Sequence, residues 1–550
     1  MKIDDQKLKE LLIKESYVST DNLKIAEKFA EKNRVAISEA LLNQGLITRD
    51  LLGQALAESF KVTYTDLNSK PPTRDMVLQI PEEVAKQYHT VIAQENDKGI
   101  TISTDDPAQA GLEDAIKKIA GDKKITWTFS LTEDIESLFV AYRKSLDVRF
   151  VNIIKAQKRV APEIIDEIVE DALLYQASDI HFEPEEKEVV IRFRVDGVLR
   201  EVGRIGKEYY DNILNRVKVQ AHLRIDEHYS IQDGAIRYAH DNKEADLRIS
   251  IAPTLDGEKI VMRILAQYVR SFTMSDIGLS EANQKMLEEA ARKPFGMILV
   301  TGPTGSGKTT TLYALLKMLN QPDINITSIE DPVEYKITGV NQIQVNADTN
   351  ITFSQGLRSI VRQDPNIILV GEIRDKETAE IAVNAALTGH LLLSTFHAND
   401  APTAIPRLLN MGIEPFLMAS TLEVVIAQRL VRRVCESCRY SYTITQAELQ
   451  KIDSGMKKYF PKKSITLYRG KGCNACSDIG YKGRIALFEF IQVTPEMEDL
   501  ILKSPSTKEI WQLARKQKSL SLFEDGIEKV KNGVTSLEEL LRVAQPPLQQ

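Results

Sequence analysis

Met297-Ile298-Leu299-Val300-Thr301-Gly302-Pro303-Thr304-Gly305-Ser306-Gly307-Lys308-Thr309-Thr310 is the stretch on which the fold of this chain turns. The apolar run at its start suits a strand buried on both faces. The glycine-rich segment has the spacing of a phosphate-binding loop, and Thr310–Leu319 continues as a good helix, so strand, loop and helix follow in the order the motif requires. The glycines let backbone N–H groups turn inward around a β-phosphate, and the helix N-terminus adds the positive end of its dipole. Gly302 through Thr310, as quoted, are therefore the expected nucleotide-binding residues. Lys308 would reach the β- and γ-phosphates, and the Thr309 hydroxyl would ligate magnesium. From about residue 280 onward the pattern predicts an α/β nucleotide-binding domain with a parallel sheet.

Three later segments belong with this loop. Ile367-Ile368-Leu369-Val370-Gly371-Glu372 reads as a second buried strand ending in a carboxylate. A strand end beside the phosphate loop is where an acid meets the magnesium shell or polarises water, and Glu372 is assigned to activating the attacking water. Ile329-Glu330-Asp331-Pro332-Val333-Glu334 places three acids after an apolar stretch, where Glu330 would hold magnesium through water or orient the nucleophile. Leu391-Leu392-Leu393-Ser394-Thr395-Phe396-His397 brings His397 to the end of a third apolar run.

The chain has 550 residues, too many for one core, with 43% hydrophobic and 27% charged residues and a net charge of -7. That balance speaks against a protein built to coat nucleic acid. A RecA-like nucleic-acid translocase, which would need a basic stripe or stacking aromatics, stands as a different-class alternative, disfavoured by 6% aromatics. No apolar run approaches a membrane span, and the charged N-terminus has no apolar signal core, so a cytoplasmic protein is expected. Three parts are expected: residues 1–145, a small domain with two short helices broken at Gly45-Leu46-Ile47-Thr48 and Thr48 as a cap; residues 146–270, an α+β domain; and residues 271–550, the ATPase domain. In the middle part a helix over Pro162–Gln176 precedes antiparallel strands at Val189–Val195, Ala245–Ala252 and Lys259–Leu265, with turns at Asp196-Gly197 and Asp256-Gly257. Ser271–Leu279 is the expected hinge.

Cys435-Glu436-Ser437-Cys438 and Cys473-Asn474-Ala475-Cys476 hold the four cysteines of the chain. Two Cys-x-x-Cys knuckles in one domain have structural zinc spacing. The 34 residues between them are more than a minimal zinc ribbon needs. Reduced buried thiols and an iron–sulfur cluster remain the alternatives.

Together these segments resemble the secretion ATPases of the GspE/PulE/PilB family of type II secretion and type IV pilus assembly, over nearly the whole chain. The marks are the phosphate loop, Ser328-Ile329-Glu330-Asp331-Pro332-Val333-Glu334, the strand ending at Glu372, Gly389–His397 and the tetracysteine element. Ser178–Pro184, Arg192–Gly197, Leu247–Ser250 and Gly257–Arg263 look like that family's middle domain. The resemblance implies a RecA-like P-loop domain, a PAS-like middle domain and an MshEN-like N-terminal domain, assembled as a homohexamer. It implies ATP, magnesium and zinc as cofactors, and Arg248 and Arg263 as arginine fingers at the γ-phosphate. Position 235 is Ala where the family commonly has Arg, and no role is assigned to it.

Retraction ATPases of this kind lack both the tetracysteine element and a long N-terminal domain, so the chain looks like an assembly motor. The implied partners are an inner-membrane platform protein and other cytoplasmic machine components. Residues 36–59 resemble the motif by which related domains bind cyclic di-GMP, with Leu41, Gly45, Leu52 and Leu56 in register. Ala36, Ser38 and Ser59 replace its Arg, Gly and Gln, so cyclic di-GMP is not expected as a ligand. A pilus extension motor, a type II secretion ATPase and a DNA-uptake pilus motor share these motifs.

Overall fold

A computed structural model describes residues 5–15, 17–33, 36–43, 46–67, 71–96, 99–121, 123–142, 149–150, 153, 160–240, 243–265, 274, 276–346, 349–452, 454–461, 464–473, 476 and 479–546. Gly45 and residues 271–273 and 275 of the expected hinge at Ser271–Leu279 lie outside the described residues. The chain divides into two units, one of residues 56–271 and one of residues 3–55 with 272–550.

In the first unit a four-stranded sheet runs in the order Thr63–Tyr64, Ile125–Phe129, Gly99–Thr104, Thr90–Asn96. Its core is Val77, Ile80, Val91, Ile102, Ile116 and Ile135. Beyond it lies a six-stranded antiparallel sheet in the order Val198–Gly206, Glu188–Val195, Asp179–Pro184, Gly257–Leu265, Lys243–Thr254, Gln232–His240. Helices Val160–Leu174 and Lys207–Gln220 share one apolar core with this sheet. Alternation fixes the faces: Ile180, Phe182, Ile191 and Phe193 enter that core, and Asp179, His181, Arg192 and Arg194 alternate with them. Both residues of the Asp196-Gly197 turn have positive φ, at 50° and 82°, as a tight hairpin of this hand demands.

In the second unit Thr48 caps the helix Arg49–Ser59 by accepting a hydrogen bond from the Leu51 N–H at 3.3 Å. The remainder is built on a seven-stranded sheet ordered Asn341–Gln344, Ile326–Glu330, Ile367–Val370, Leu391–Phe396, Gly296–Thr301, Leu422–Val434, Tyr481–Gln492. The first six strands pair in parallel and the last is antiparallel. The strand Gly296–Thr301 is buried along its length, which is why its sequence is continuously apolar rather than alternating. This is the α/β architecture expected for residues after about 280. Between Cys438 and Cys473 the insertion forms its own hairpin, Arg439–Thr445 against Ser464–Gly470, with the helix Gln446–Ile452 between its strands.

Among the described residues no helix is long and apolar enough to cross a membrane.

Candidate active site

Gly302 through Gly307 form the loop between the strand Gly296–Thr301 and the helix Lys308–Leu319. The loop lies against Gln428 of the neighbouring parallel strand. Gly302 has φ +146°, and a Cβ there would come 2.5 Å from the Gln428 carbonyl oxygen. The Gln428 side chain accepts from the Thr311 hydroxyl at 2.8 Å, so one residue braces both the loop and its helix. Lys308 Nζ donates to the Gly302 and Pro303 carbonyl oxygens, each at 3.0 Å. Burial lowers the ionisation of Lys308, against the opposing pull of the Glu372 charge. Thr309 and Thr310 follow in the first turn of the helix, both half-buried.

Glu330, Glu372 and His397 come from the C-terminal ends of three adjacent strands, the edge at which open α/β sheets hold their ligands. His397 Nε2 is 2.9 Å from Glu372 Oε2. The Arg374 guanidinium pairs with the same carboxylate and reaches Asp331 at 3.4 Å. Burial raises the Glu372 carboxyl, but the hydrogen bonds from Arg374 and His397 outweigh it and leave it below the usual range. Glu330 is in the opposite condition. It is 2% exposed, and burial pushes it up in spite of hydrogen bonds from Ser328 (2.6 Å), Tyr313 and Gln342 (3.3 Å). Two acids at neighbouring strand ends are thus driven apart, Glu372 toward the anion by its donors and Glu330 toward the neutral acid by burial.

Arg248 and Arg263 belong to the other unit. They sit directly opposite each other on the paired strands Lys243–Thr254 and Gly257–Leu265. Arg263 Nε is 3.1 Å from Asp179 Oδ1, and Arg194 approaches the other oxygen of Asp179 at 3.4 Å. In the same cross-strand row Ala235 lies beside Arg248.

The four cysteine sulfurs all lie within 4.8 Å of one another. Sγ separations are 3.8 Å for Cys435 and Cys473, 3.8 Å for Cys438 and Cys476, and 3.7 Å for Cys473 and Cys476. A tetrahedron with zinc–sulfur bonds of about 2.3 Å has edges of about 3.8 Å, so the donor set fits zinc. The Cys473 and Gly480 N–H groups point at Cys476 Sγ at 3.3 and 3.2 Å, the kind of outer-shell donors that settle a metal-bound thiolate.

A family model described as "Type II/IV secretion system protein" matches residues 155–542. The chain belongs to the type II/IV secretion system protein family. An MshEN domain model matches residues 60–148. A type IV pilus assembly ATPase PilB of Myxococcus xanthus is 38% identical over 97% of this chain and 98% of its own length. A type II secretion system protein E of Pseudomonas aeruginosa is 47% identical over 69% of this chain and 74% of its own. The X-ray structure of the Legionella pneumophila ATPase DotB shares the fold, with 21% identity, 70% of this chain and 96% of that one covered, and a TM-score of 0.52. The reaction of this secretion-family chain is ATP hydrolysis.

Several residues of this secretion ATPase escaped the sequence reading. Gln428 and Tyr313 touch the site from positions no short motif singles out, and Arg374, two residues beyond Glu372, carried no assigned role. Glu489, buried on the strand Tyr481–Gln492, accepts from the N–H of Ala401 at 2.8 Å and of Leu522 at 3.3 Å. It thereby joins two helix N-termini, those of Ala401–Asn410 and Leu522–Lys531. A glutamate inside the apolar run Ala486–Ile491 is the only sequence signal it carries.

Proposed function

We propose that this ATPase is a cytoplasmic assembly motor that drives pilin into a type IV pilus filament. The observation that carries the reading is the extent of the likeness: the alignment with a pilus assembly ATPase runs through 97% of the chain, its N-terminal region included, whereas that with a type II secretion protein E covers 69%. The higher identity of the latter, 47%, keeps pseudopilus assembly in type II secretion as the second reading.

The chain acts as a homohexamer, held at the inner face of the cell membrane by a platform protein. Its modules are residues 1–145, 146–270 and 271–550; family matches that meet between residues 148 and 155 support the first boundary, and the division of the chain after residue 271 supports the second. The N-terminal module docks a machine component and does not take cyclic di-GMP, because Ala36, Ser38 and Ser59 lack the polar contacts of that motif. Cys435, Cys438, Cys473 and Cys476 hold zinc as a structural clasp.

In the reaction, loop N–H groups from Gly302 to Gly307 cradle the phosphates and Lys308 bridges the β and γ positions. The Thr309 hydroxyl would hold magnesium, which would supply charge neutralisation at the phosphate oxygens. The sequence gives the attacking water to Glu372; the opposite environments of the two acids favour a division of labour. Glu330, raised by burial, is the better base and takes the proton as the water oxygen bonds to the γ-phosphorus and the bond to the β,γ-bridging oxygen breaks. Glu372, kept anionic, orients the water and the magnesium shell, with His397 fixing its carboxylate. Arg248 and Arg263 neutralise charge developing on the γ-phosphoryl group.

The test is electron microscopy of cells carrying Glu372→Gln at the native locus. Loss of surface pili, with folded protein that still binds ATP, is expected. Normal pili with failed protein export would mean type II secretion, and extra pili would mean retraction.

A further inference from the structure

Among the buried polar side chains of the P-loop helix is Tyr313, whose hydroxyl its packing alone does not explain. Tyr313 is 0% exposed, and its ring meets Tyr335 edge-on with centroids 4.7 Å apart. Phenylalanine would fill that space equally well, and a buried hydroxyl is costly unless it is bonded. The hydroxyl is fully used. It donates to Glu330 Oε2 and accepts from the Glu334 N–H and from Gln342 Nε2, each at 3.3 Å. Glu330 Oε1 is held separately by Ser328 at 2.6 Å and by Gln342 at 3.3 Å.

We infer that Tyr313 is a positioning residue for ATP hydrolysis: it fixes the orientation of the Glu330 carboxylate and ties that carboxylate to the helix beginning at Lys308. The inference rests on Glu330 being the proton acceptor. A carboxylate bound through one oxygen still rotates about its last torsion; bound through both, it presents its remaining lone pair, on Oε2, in a set direction. Tyr313 is five residues beyond Lys308, about 7.5 Å along the same helix. Helix and carboxylate therefore shift together, and the base keeps its bearing on the nucleotide loop. Burial and the Glu330 charge both oppose ionisation of the phenol, so it remains a donor across the working pH range. The charged groups around the pair are Glu334 on the turn after Glu330, Asp331 beside it, and Lys317, which lies over the Tyr335 ring at 5.3 Å.

The test compares full-length Tyr313→Phe, Ser328→Ala and Glu330→Gln in magnesium–ATP hydrolysis across pH, with binding of a fluorescent ATP analogue as control. Tyr313→Phe keeps the ring and loses one donor to the carboxylate. It should lower kcat about tenfold, leave KM for ATP within about twofold, and move the acidic limb of the kcat profile to higher pH. Ser328→Ala, a smaller change in packing, should move the limb the same way and serves if Tyr313→Phe folds poorly. A wild-type kcat and limb in Tyr313→Phe, with Glu330→Gln inactive, overturns the positioning role alone. Full turnover by Glu330→Gln overturns the assignment of Glu330 itself. A change in KM or melting temperature without a moved limb would make Tyr313 structural and overturn the inference.

Discussion

His397 Nε2 and Glu372 Oε2 are 2.9 Å apart, and the Arg374 guanidinium holds the same carboxylate. Glu372 lies below its ordinary value of 4.5, so its contribution to stability is complete above that pH and is lost only as pH falls through the lower folded value. At neutral pH it is an anion whose direction is set by two donors. His397→Ala should therefore leave ATP binding near wild type and lower kcat about tenfold. His397→Gln, which keeps an N–H in reach of the carboxylate, should recover most of the loss. Steady-state hydrolysis by the three proteins decides it, and equal kcat values would remove His397 from the site.

The cysteine cluster yields a prediction independent of turnover. Elemental analysis of the purified protein should find about one zinc per chain, and none after Cys438→Ser. The same change should lower the melting temperature by about 5 °C or more, because metal bound only by the folded state stabilises it. Nucleotide affinity should hardly change. Iron in place of zinc would sink the assignment.

Glu489 gives a pH prediction of the opposite sign to Glu372. Burial pushes its carboxyl up to about 7, although the Ala401 and Leu522 N–H groups favour the anion. Between the unfolded value near 4.5 and about 7 the folded chain binds more protons than the unfolded one, so this group lowers stability as pH rises through that window. The rise corresponds to about 3 kcal/mol. Glu489→Gln cannot ionise and lacks that slope. The wild-type melting temperature minus that of Glu489→Gln should fall from pH 5 to about pH 7 and level off above it; a constant difference would contradict the raised value.

Arg263, paired with Asp179 and opposite Arg248, is the arginine whose loss should be felt in turnover rather than in binding. Arg263→Ala should cut kcat about 10³-fold with nucleotide affinity nearly unchanged. Arg263→Lys should not restore it, since an ammonium cannot reproduce the planar fork. Restoration by Lys, or a loss confined to affinity, would show that the guanidinium does not act on the γ-phosphoryl group.

The parts of this molecule that were legible in sequence are those written in local spacing. The strand, loop and helix around Gly302–Thr309, the Asp196-Gly197 turn and the three strands from Val189 to Leu265 each carry their own pattern within a dozen residues. Gln232–His240 was not read, because its inward row alternates in burial but begins with Gln232 and Gly234, and only Ile236 and Tyr238 write that alternation in apolar residues. The hairpin Arg439–Thr445 with Ser464–Gly470 was missed because its strands are separated by a helix rather than a tight turn. Tyr313 and Glu330 are 17 residues apart on different elements, and Thr311 and Gln428 are 117 apart. Such contacts exist only once the sheet order is set, and no periodicity reports them.

Gln428 also alters what a familiar experiment on the phosphate loop means. A methyl at position 302 would come 2.5 Å from its carbonyl oxygen and 2.6 Å from Ser306 Oγ. The loop is cast in a mould supplied by the strand behind it, and its curvature is settled when the sheet assembles. On the proposed reading of the loop, a shape held by the neighbouring strand would spare part of the entropy that a pliant loop loses on binding nucleotide. Gly302→Ala would consequently damage the mould itself, and failure of that variant to bind ATP would report on the scaffold, whereas Lys308→Ala interrogates the phosphate.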